Sequence, residues 1–309
     1  MAGEQVLWLY LDPGTLADVA AGRHNFFGRV IAAVTARGWR VELRESTLAE
    51  RVQAPLRAGY ALFHMEEPTH PGALTCRRTY TGAFWHIEAV AARWDWPVAR
   101  ATYRPDPVRR EKAREFADRL RRRLGAEAGQ EAGAGTEPSG AFIYVPLQGR
   151  LLAQRSFQAA SPVEMLRETL ARTDRPILAT LHPKVTYNDE ERGALRDLCA
   201  ASPRLRVQAT GSEAALRACK MVVTQNSGLA FHGYAFHKPA VLFARADFHH
   251  IAGSVPEVGA EAAFARLDGP PPDFDDYLYW FLQLQAINAG RDDCGDRIVK
   301  SLRGHGWKI

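Results

Sequence analysis

Short apolar runs recur along this sequence and alternate with stretches in which apolar residues return every three to four positions. Val6–Leu11 (VLWLYL) predicts a buried strand closed by Asp12-Pro13-Gly14. A helix is expected from about Asn25, with Phe26, Phe27, Val30, Ile31 and Val34 on one face and Gly38 as its stop. Residues 41–43 and 60–65 predict further strands, 85–94 a helix, and 97–101 another strand. Residues 109–124 form a strongly charged helix pattern whose narrow apolar stripe is Phe116, Leu120 and Leu124.

A second alternation begins at residues 142–145. It gives helix 161–170, strand 177–181, helix 190–200, strand Leu205–Gln208, helix 212–219, strand Met221–Thr224, helix 229–236 and strand 240–243. A Pro-rich break at 269–272 precedes a long apolar helix, 277–289. Strand–helix alternation of this kind predicts an α/β protein with parallel, doubly wound sheets. Between the alternations, residues 125–140 (GAEAGQEAGAGTEPSG) are rich in Gly and Ala, lack periodicity, and read as a linker or flexible loop. The expected organisation is an N-terminal Rossmann-like domain at 1–124, the linker at 125–140, a C-terminal Rossmann-like domain at 141–272, and terminal helices at 273–309 that cross back to the first domain. No internal repeat suggests a solenoid.

At 309 residues the chain accommodates two domains, and 46% hydrophobic content fills real cores. The net charge of +5 is mild, with much of the basic excess between Arg109 and Arg123. That is weak support for nucleic acid, which is not an expected partner; anionic donors or peripheral contact with the inner membrane explain it equally well. Cys76, Cys199, Cys219 and Cys294 form no CxxC pair, so reduced thiols in a cytoplasmic protein are expected, with no disulfide framework and no zinc site. The first apolar run is too short for a signal peptide or a membrane span.

The ends of two strands carry the chemistry. In Ile-Leu-Ala-Thr-Leu-His-Pro-Lys the run ends in His182, Pro183 and Lys184; in Met-Val-Val-Thr-Gln-Asn-Ser-Gly it ends in Asn226, Ser227 and Gly228. Ligands of open α/β sheets collect beyond the carboxyl ends of the strands, and a helix start after Ser227 offers backbone N–H groups to an anion. His182, as imidazolium or as a neutral donor, would bind a phosphate and assist its departure, with Lys184 adding charge. The alternative readings are a strand-capping His182 and an ordinary helix cap at Asn226 or Ser227.

The His-Pro-Lys group, the Thr-x-Asn-Ser-Gly turn, His237-Lys238-Pro239 before a strand, and Tyr144-Val145-Pro146-Leu147-Gln148 upstream together resemble the capsule-polysaccharide synthesis glycosyltransferases, the group that includes bacterial β-Kdo transferases. The resemblance covers roughly residues 141–250. It implies a GT-B architecture, two Rossmann-like domains facing a cleft, and a cytoplasmic glycosyltransferase that moves a sugar from a nucleotide-sugar, Kdo from a CMP-sugar among the options, to a bacterial surface polysaccharide or glycolipid. It further implies phosphate contacts from His182 and Ser227, and no cofactor or metal beyond the nucleotide-sugar co-substrate. One departure stands out: the family often places an acidic residue soon after Pro-Leu-Gln, whereas no Asp or Glu follows Gln148 here until Glu164. Gln148, Gln154 and Arg155 are then candidates for holding an anionic donor or acceptor, with solvated loop residues as the alternative.

The acceptor hydroxyl needs a base, expected from the N-terminal half. His24 and Glu66 are favoured by position, with Glu67, His70 and Glu88 as neighbours of the same kind. Asp247, His249 and His250 resemble a metal set, but adjacent histidines in a strand point to opposite faces and no further ligand lies at metal spacing, so the cluster reads as a loop contributing at most to donor binding. Two other functions remain open, an inactive GT-B-fold binding or scaffold protein and an epimerase acting on UDP-sugars. No Walker A sequence supports an ATPase.

Overall fold

The computed structural model of the chain describes residues 5–128, 140–209 and 213–309. Most of the expected linker, residues 129–139, lies outside them. The strands in chain order are β1 (Val6–Leu11), β2 (Arg40–Glu45), β3 (Tyr60–His64), β4 (Leu74–Arg78), β5 (Phe84–Glu88), β6 (Ile143–Pro146), β7 (Ile177–Thr180), β8 (Leu205–Gln208), β9 (Met221–Thr224), β10 (Ala240–Leu242), β11 (Gly253–Ser254) and β12 (Ile287–Asn288). They form two six-stranded sheets, ordered β12-β5-β4-β3-β1-β2 and β11-β10-β9-β6-β7-β8. The fold is α/β with two Rossmann-like units.

Unit 1 comprises Met1–Val98 together with Phe281–Ile309, and unit 2 comprises Ala99–Trp280. The boundary expected at 125–140 therefore falls elsewhere, between Val98 and Ala99. The charged helix Arg110–Ala128 belongs to unit 2, where Phe116, Leu120 and Leu124 are buried. A Gly/Ala-rich composition marks an unpatterned stretch of chain, and such a stretch sits as readily inside a unit as between two.

In unit 1, β1, β2, β3 and β4 run parallel, but β4 pairs with β5 and β5 with β12 in antiparallel fashion. The expectation of a purely parallel sheet is corrected here. The antiparallel edge comes from an aromatic-rich strand. Residues 85–94 were expected to be helical, yet Phe84-Trp85-His86-Ile87-Glu88 is a fully buried strand; aromatic and β-branched side chains pack well on a pleated surface. Conversely, residues 97–101 form no strand: Pro97 opens a short helix, Pro97–Arg100, the position where its missing N–H costs nothing. The core between this sheet and its helices joins Leu7, Leu9, Phe27, Val30 and Trp85 to Ile298 and Leu302 of the last helix, Cys294–Gly304, and to Trp307 beyond it.

Unit 2 has an all-parallel sheet whose inner strands are apolar on both faces, as such sheets require. The long helix expected at 277–289 is instead a short one, Phe274–Tyr279, continued by a π-helical stretch, Trp280–Gln285, and then β12. Its start is fixed by Asp276, 1% exposed, which accepts from Tyr103 Oη at 2.9 Å and from Arg109 Nε at 2.6 Å. Tyr103 also packs on Trp280 and Tyr277, with ring centroids 5.3 and 4.9 Å away. A buried carboxylate is tolerated only with such pairing.

Candidate functional site

Strand order places a site in unit 2 before any side chain is considered. From β6 the chain lays β7 and β8 on one side and β9, β10 and β11 on the other. The loops leaving the carboxyl ends of β6 and β9 thus diverge, and a crevice opens at this switch of direction. The sequence-predicted residues of unit 2 fall on the loops that leave β6, β7 and β9, three adjacent strands.

The β7 loop is stiffened around His182. Its backbone N–H donates to Tyr187 Oη at 2.9 Å, and its Nδ1 accepts from the Lys184 backbone N–H at 3.2 Å. With Nδ1 accepting, the ring proton sits on Nε2. His182 is exposed, and its Nε2–H is a donor at the end of this loop. Lys184 is exposed beside it. The β6 loop approaches closely: a Cβ on Gly149 would lie 2.9 Å from Val185 Cγ1, so only glycine fits without a shift.

After β9, Ser227 caps helix Gly228–Ala235 by accepting from Leu229 N–H at 3.3 Å. Asn226 turns aside and donates from Nδ2 to the Arg245 carbonyl at 3.0 Å, which joins this loop to the segment after β10. Thr224 Oγ1 donates to the Pro146 carbonyl at 2.9 Å and locks the ends of β9 and β6 together.

The β6 loop carries the charge. Arg150 adopts φ of 60°, a left-handed conformation that is costly for a side chain other than glycine. Arg155 is pinned through its backbone: its N–H donates to Gln158 Oε1 at 2.8 Å, and its carbonyl accepts from Gln158 N–H at 2.9 Å. Its guanidinium lies 4.9 Å from the centre of the Phe157 ring. Among the described residues neither arginine has a carboxylate partner, and Arg155 Nε is buried without a hydrogen bond. Burial first, and then the charge of Arg150, pull Arg155 below the usual guanidinium range. Gln148 is half-buried with Oε1 unpartnered, and Gln154 Nε2 donates to the Gln158 carbonyl at 2.8 Å.

Sequence reasoning missed three residues in this unit. Glu191 comes from the helix Asp189–Ala201 and accepts the Leu151 N–H at 2.6 Å, so the β6 loop does engage a carboxylate, one from forty residues on. Its other oxygen closes a capping box with Asn188. Gln225, fully buried, donates from Nε2 to the Ala160 carbonyl at 3.0 Å. Gln158 is the third.

The histidine pair follows β10. It lies in a 3-10 turn, His249–Ile251, and the rings stack 4.5 Å apart at 18°. His249 faces Glu257 at 2.9 Å, and His250 faces Tyr277 Oη at 3.0 Å. Among the described residues no group of three or more His, Cys, Asp or Glu side chains is placed to hold a metal ion.

Unit 1 has its own polar group at the carboxyl end of its sheet. Asp12 follows β1 and His64 ends β3, and these strands are adjacent. His64 Nδ1 lies 3.0 Å from Asp12 Oδ2. Asp12 is held down at about 2, chiefly by the Thr15 backbone N–H, so it is ionised and accepts from Nδ1–H. Nε2 of His64 is then the acceptor, the arrangement of an oriented base. Burial lowers His64 below the ordinary histidine value against the opposing pull of Asp12. His24 caps helix Asn25–Thr35, its Nδ1 accepting from Phe27 N–H at 3.3 Å, and burial followed by the His64 charge lowers it too. With Nδ1 engaged, His24 presents a donor rather than a base.

Glu66 is tied to Arg51 at 2.6 Å and to Ser46. Glu67 accepts from Ala91 N–H at 2.7 Å, His70 lies 3.0 Å from Thr69 Oγ1, and Glu88 is buried in β5 near His86 and His305. The Asp-Pro-Gly turn after β1 and the histidine at the end of β3 were both visible in the sequence. Asp12 was read as a turn residue only.

No family model matches the chain, and no curated protein matches it. Among solved structures it is similar to the β-Kdo 2,7-transferase KpsC of Thermosulfurimonas dismutans, with 13% identity, TM-score 0.48, and coverage of 79% of this chain and 80% of that one. It is also similar to a β-Kdo 2,4-transferase KpsC structure from the same organism, with 10% identity, TM-score 0.48 and 89% of each chain covered. A third is the UDP-GlcNAc 2-epimerase of Methanocaldococcus jannaschii in complex with UDP-GlcNAc and UDP, with 10% identity, TM-score 0.38, and 97% and 99% covered.

Proposed function

We propose that the chain is a glycosyltransferase that moves a sugar from a nucleotide-activated donor to a hydroxyl acceptor, a growing surface saccharide or glycolipid. The observation that carries this reading is the pair Arg150 and Arg155 on the β6 loop, neither with a carboxylate partner among the described residues, with Arg155 half-buried, its Nε without a hydrogen bond, and the guanidinium lowered first by burial and then by the charge of Arg150. Two cations held together without a carboxylate are stabilised by an anionic ligand, and a donor phosphate supplies that charge. His182 Nε2–H, Lys184 and the capped helix start at Ser227 lie on neighbouring loops and suit the same anion.

In the reaction the acceptor oxygen attacks the anomeric carbon while the bond from that carbon to the phosphate oxygen breaks. Within unit 1 the oriented pair of Asp12 and His64 is a base of the kind that takes a hydroxyl proton at Nε2, with Asp12 stabilising the imidazolium that forms. The cations and the His182 N–H take up the charge that develops on the departing phosphate. Within unit 1 the base reading favours His64 over Glu66, whose carboxylate is held by Arg51.

Thermal unfolding with CMP, CDP, UDP and GDP tests the reading, because a ligand that binds only the folded state raises the midpoint. One of the four is expected to do so. No shift with any nucleotide refutes the donor assignment. Sugar released from UDP-GlcNAc without an acceptor would replace transfer by the epimerase reading, and tight binding without turnover would leave a binding protein.

A further inference from the structure

Charge is segregated along this chain. Residues 99–125 hold ten Lys and Arg against four Asp and Glu, a net of +6, while the whole chain carries +5; all the rest therefore sums to −1. The segment contains the helix Arg110–Ala128 and the 3-10 turn Pro107–Arg109 before it. Two of its arginines face inward, Arg109 onto Asp276 and Arg121 onto Asp275. The others that matter are exposed: Arg110, Lys112, Arg114, Arg119, Arg122 and Arg123.

Lys112, Arg119 and Arg123 are separated by seven and four residues and so share one helix face. Four residues before Lys112, Val108 is 94% exposed. Glu115 lies on the same face, three residues after Lys112, and meets Arg119 at 3.8 Å with both side chains more than half exposed, a pair worth little in water. What remains is a solvent-facing basic strip with one aliphatic side chain at its head. Among the described residues no helix is long and apolar enough to cross a membrane.

We infer that this strip is an adsorption surface for an anionic phospholipid bilayer. Juxtaposed Lys and Arg side chains are drawn to the negative potential of acidic headgroups, and Val108 is positioned to enter the headgroup layer. The surface is independent of the donor assignment, since none of its residues belongs to the loops beyond β6, β7 and β9.

The test is flotation of the full chain with vesicles of phosphatidylcholine containing 30% phosphatidylglycerol, against pure phosphatidylcholine vesicles, at low and high salt. Binding is expected to the acidic vesicles only and to weaken with salt as screening shortens. The triple variant Lys112→Gln, Arg119→Gln, Arg123→Gln should partition about 100-fold more weakly, at roughly fivefold per cation near the surface. An unchanged thermal midpoint shows that the variant is folded. Equal binding to neutral vesicles, or full binding by a folded triple variant, overturns the inference. So does stronger binding to heparin or duplex DNA than to vesicles at matched anionic charge, which would make the strip a polyanion-binding surface.

Discussion

Replacing Arg155 with methionine should move stability and nucleotide affinity in opposite directions. In the free protein the guanidinium is half-buried, Nε lacks a partner, and Arg150 repels it. Methionine fills similar space without the charge, and its thioether keeps a favourable contact with Phe157, whose ring centre lies 4.9 Å from the guanidinium. Relief of desolvation and repulsion should leave the free variant at least as stable as the parent. With nucleotide bound, the variant lacks a hydrogen bond between charged groups, worth about 1.5–3 kcal/mol. The dissociation constant should therefore rise by about 10- to 150-fold. Arg155→Lys, which keeps the charge but not the planar fork, should fall between. Thermal unfolding of the free proteins and titration calorimetry with the stabilising nucleotide read the two effects separately. An Arg155→Met protein that melts earlier and binds nucleotide as well as the parent would show Arg155 to be a structural residue and remove the principal argument for the donor site.

Three further outcomes are expected. Burial lowers His24 and His64 below 6.5, so the unfolded chain binds their protons more readily; stability from these groups is complete above pH 6.5 and is lost as pH falls through their folded values. The acid limb of turnover should likewise lie below pH 6.5. Asp12→Asn, which removes the group that raises His64, should shift that limb lower still and cut the rate by about 10²- to 10⁴-fold; an unmoved limb would take the base role from His64. Gly149→Ala should weaken nucleotide binding by forcing the β6 and β7 loops apart, since the new Cβ would lie 2.9 Å from Val185 Cγ1. Val185→Ala in the same chain should restore binding, and failure to do so would show that the contact does not set the loop.

The strands of unit 2 were legible because a two-sided buried strand leaves an unbroken apolar run, and the polar groups closing β7 and β9 marked the site end of the sheet directly. The antiparallel edge of unit 1 was not. Trp85, His86 and Glu88 are all buried in β5, so the strand shows no polar alternation from which its period could be read. The site's own supports were hidden for a different reason. Glu191 reaches Leu151 across forty residues, and Gln158 and Gln225 are neutral side chains whose burial depends on tertiary packing. Nothing local in their sequence sets them apart from loop glutamines. Asp12 and His64 are paired only by the register of β1 on β3, a property of the sheet rather than of either segment.

The discontinuity of unit 1 has a consequence for how the molecule comes into being. A ribosome delivers the strands around β1 long before the helix Cys294–Gly304 that completes their core. Unit 2, uninterrupted from Ala99 to Trp280, is finished first. Once it folds, the packing of Tyr103 against Trp280 and the Asp276 node bring its two ends together. The late-arriving tail is then released beside the waiting strands instead of diffusing over the full contour of the intervening chain, which shortens the loop that must close. Unit 2 acts as a clasp, and weakening it at Asp276 would delay the maturation of a unit to which that residue does not belong.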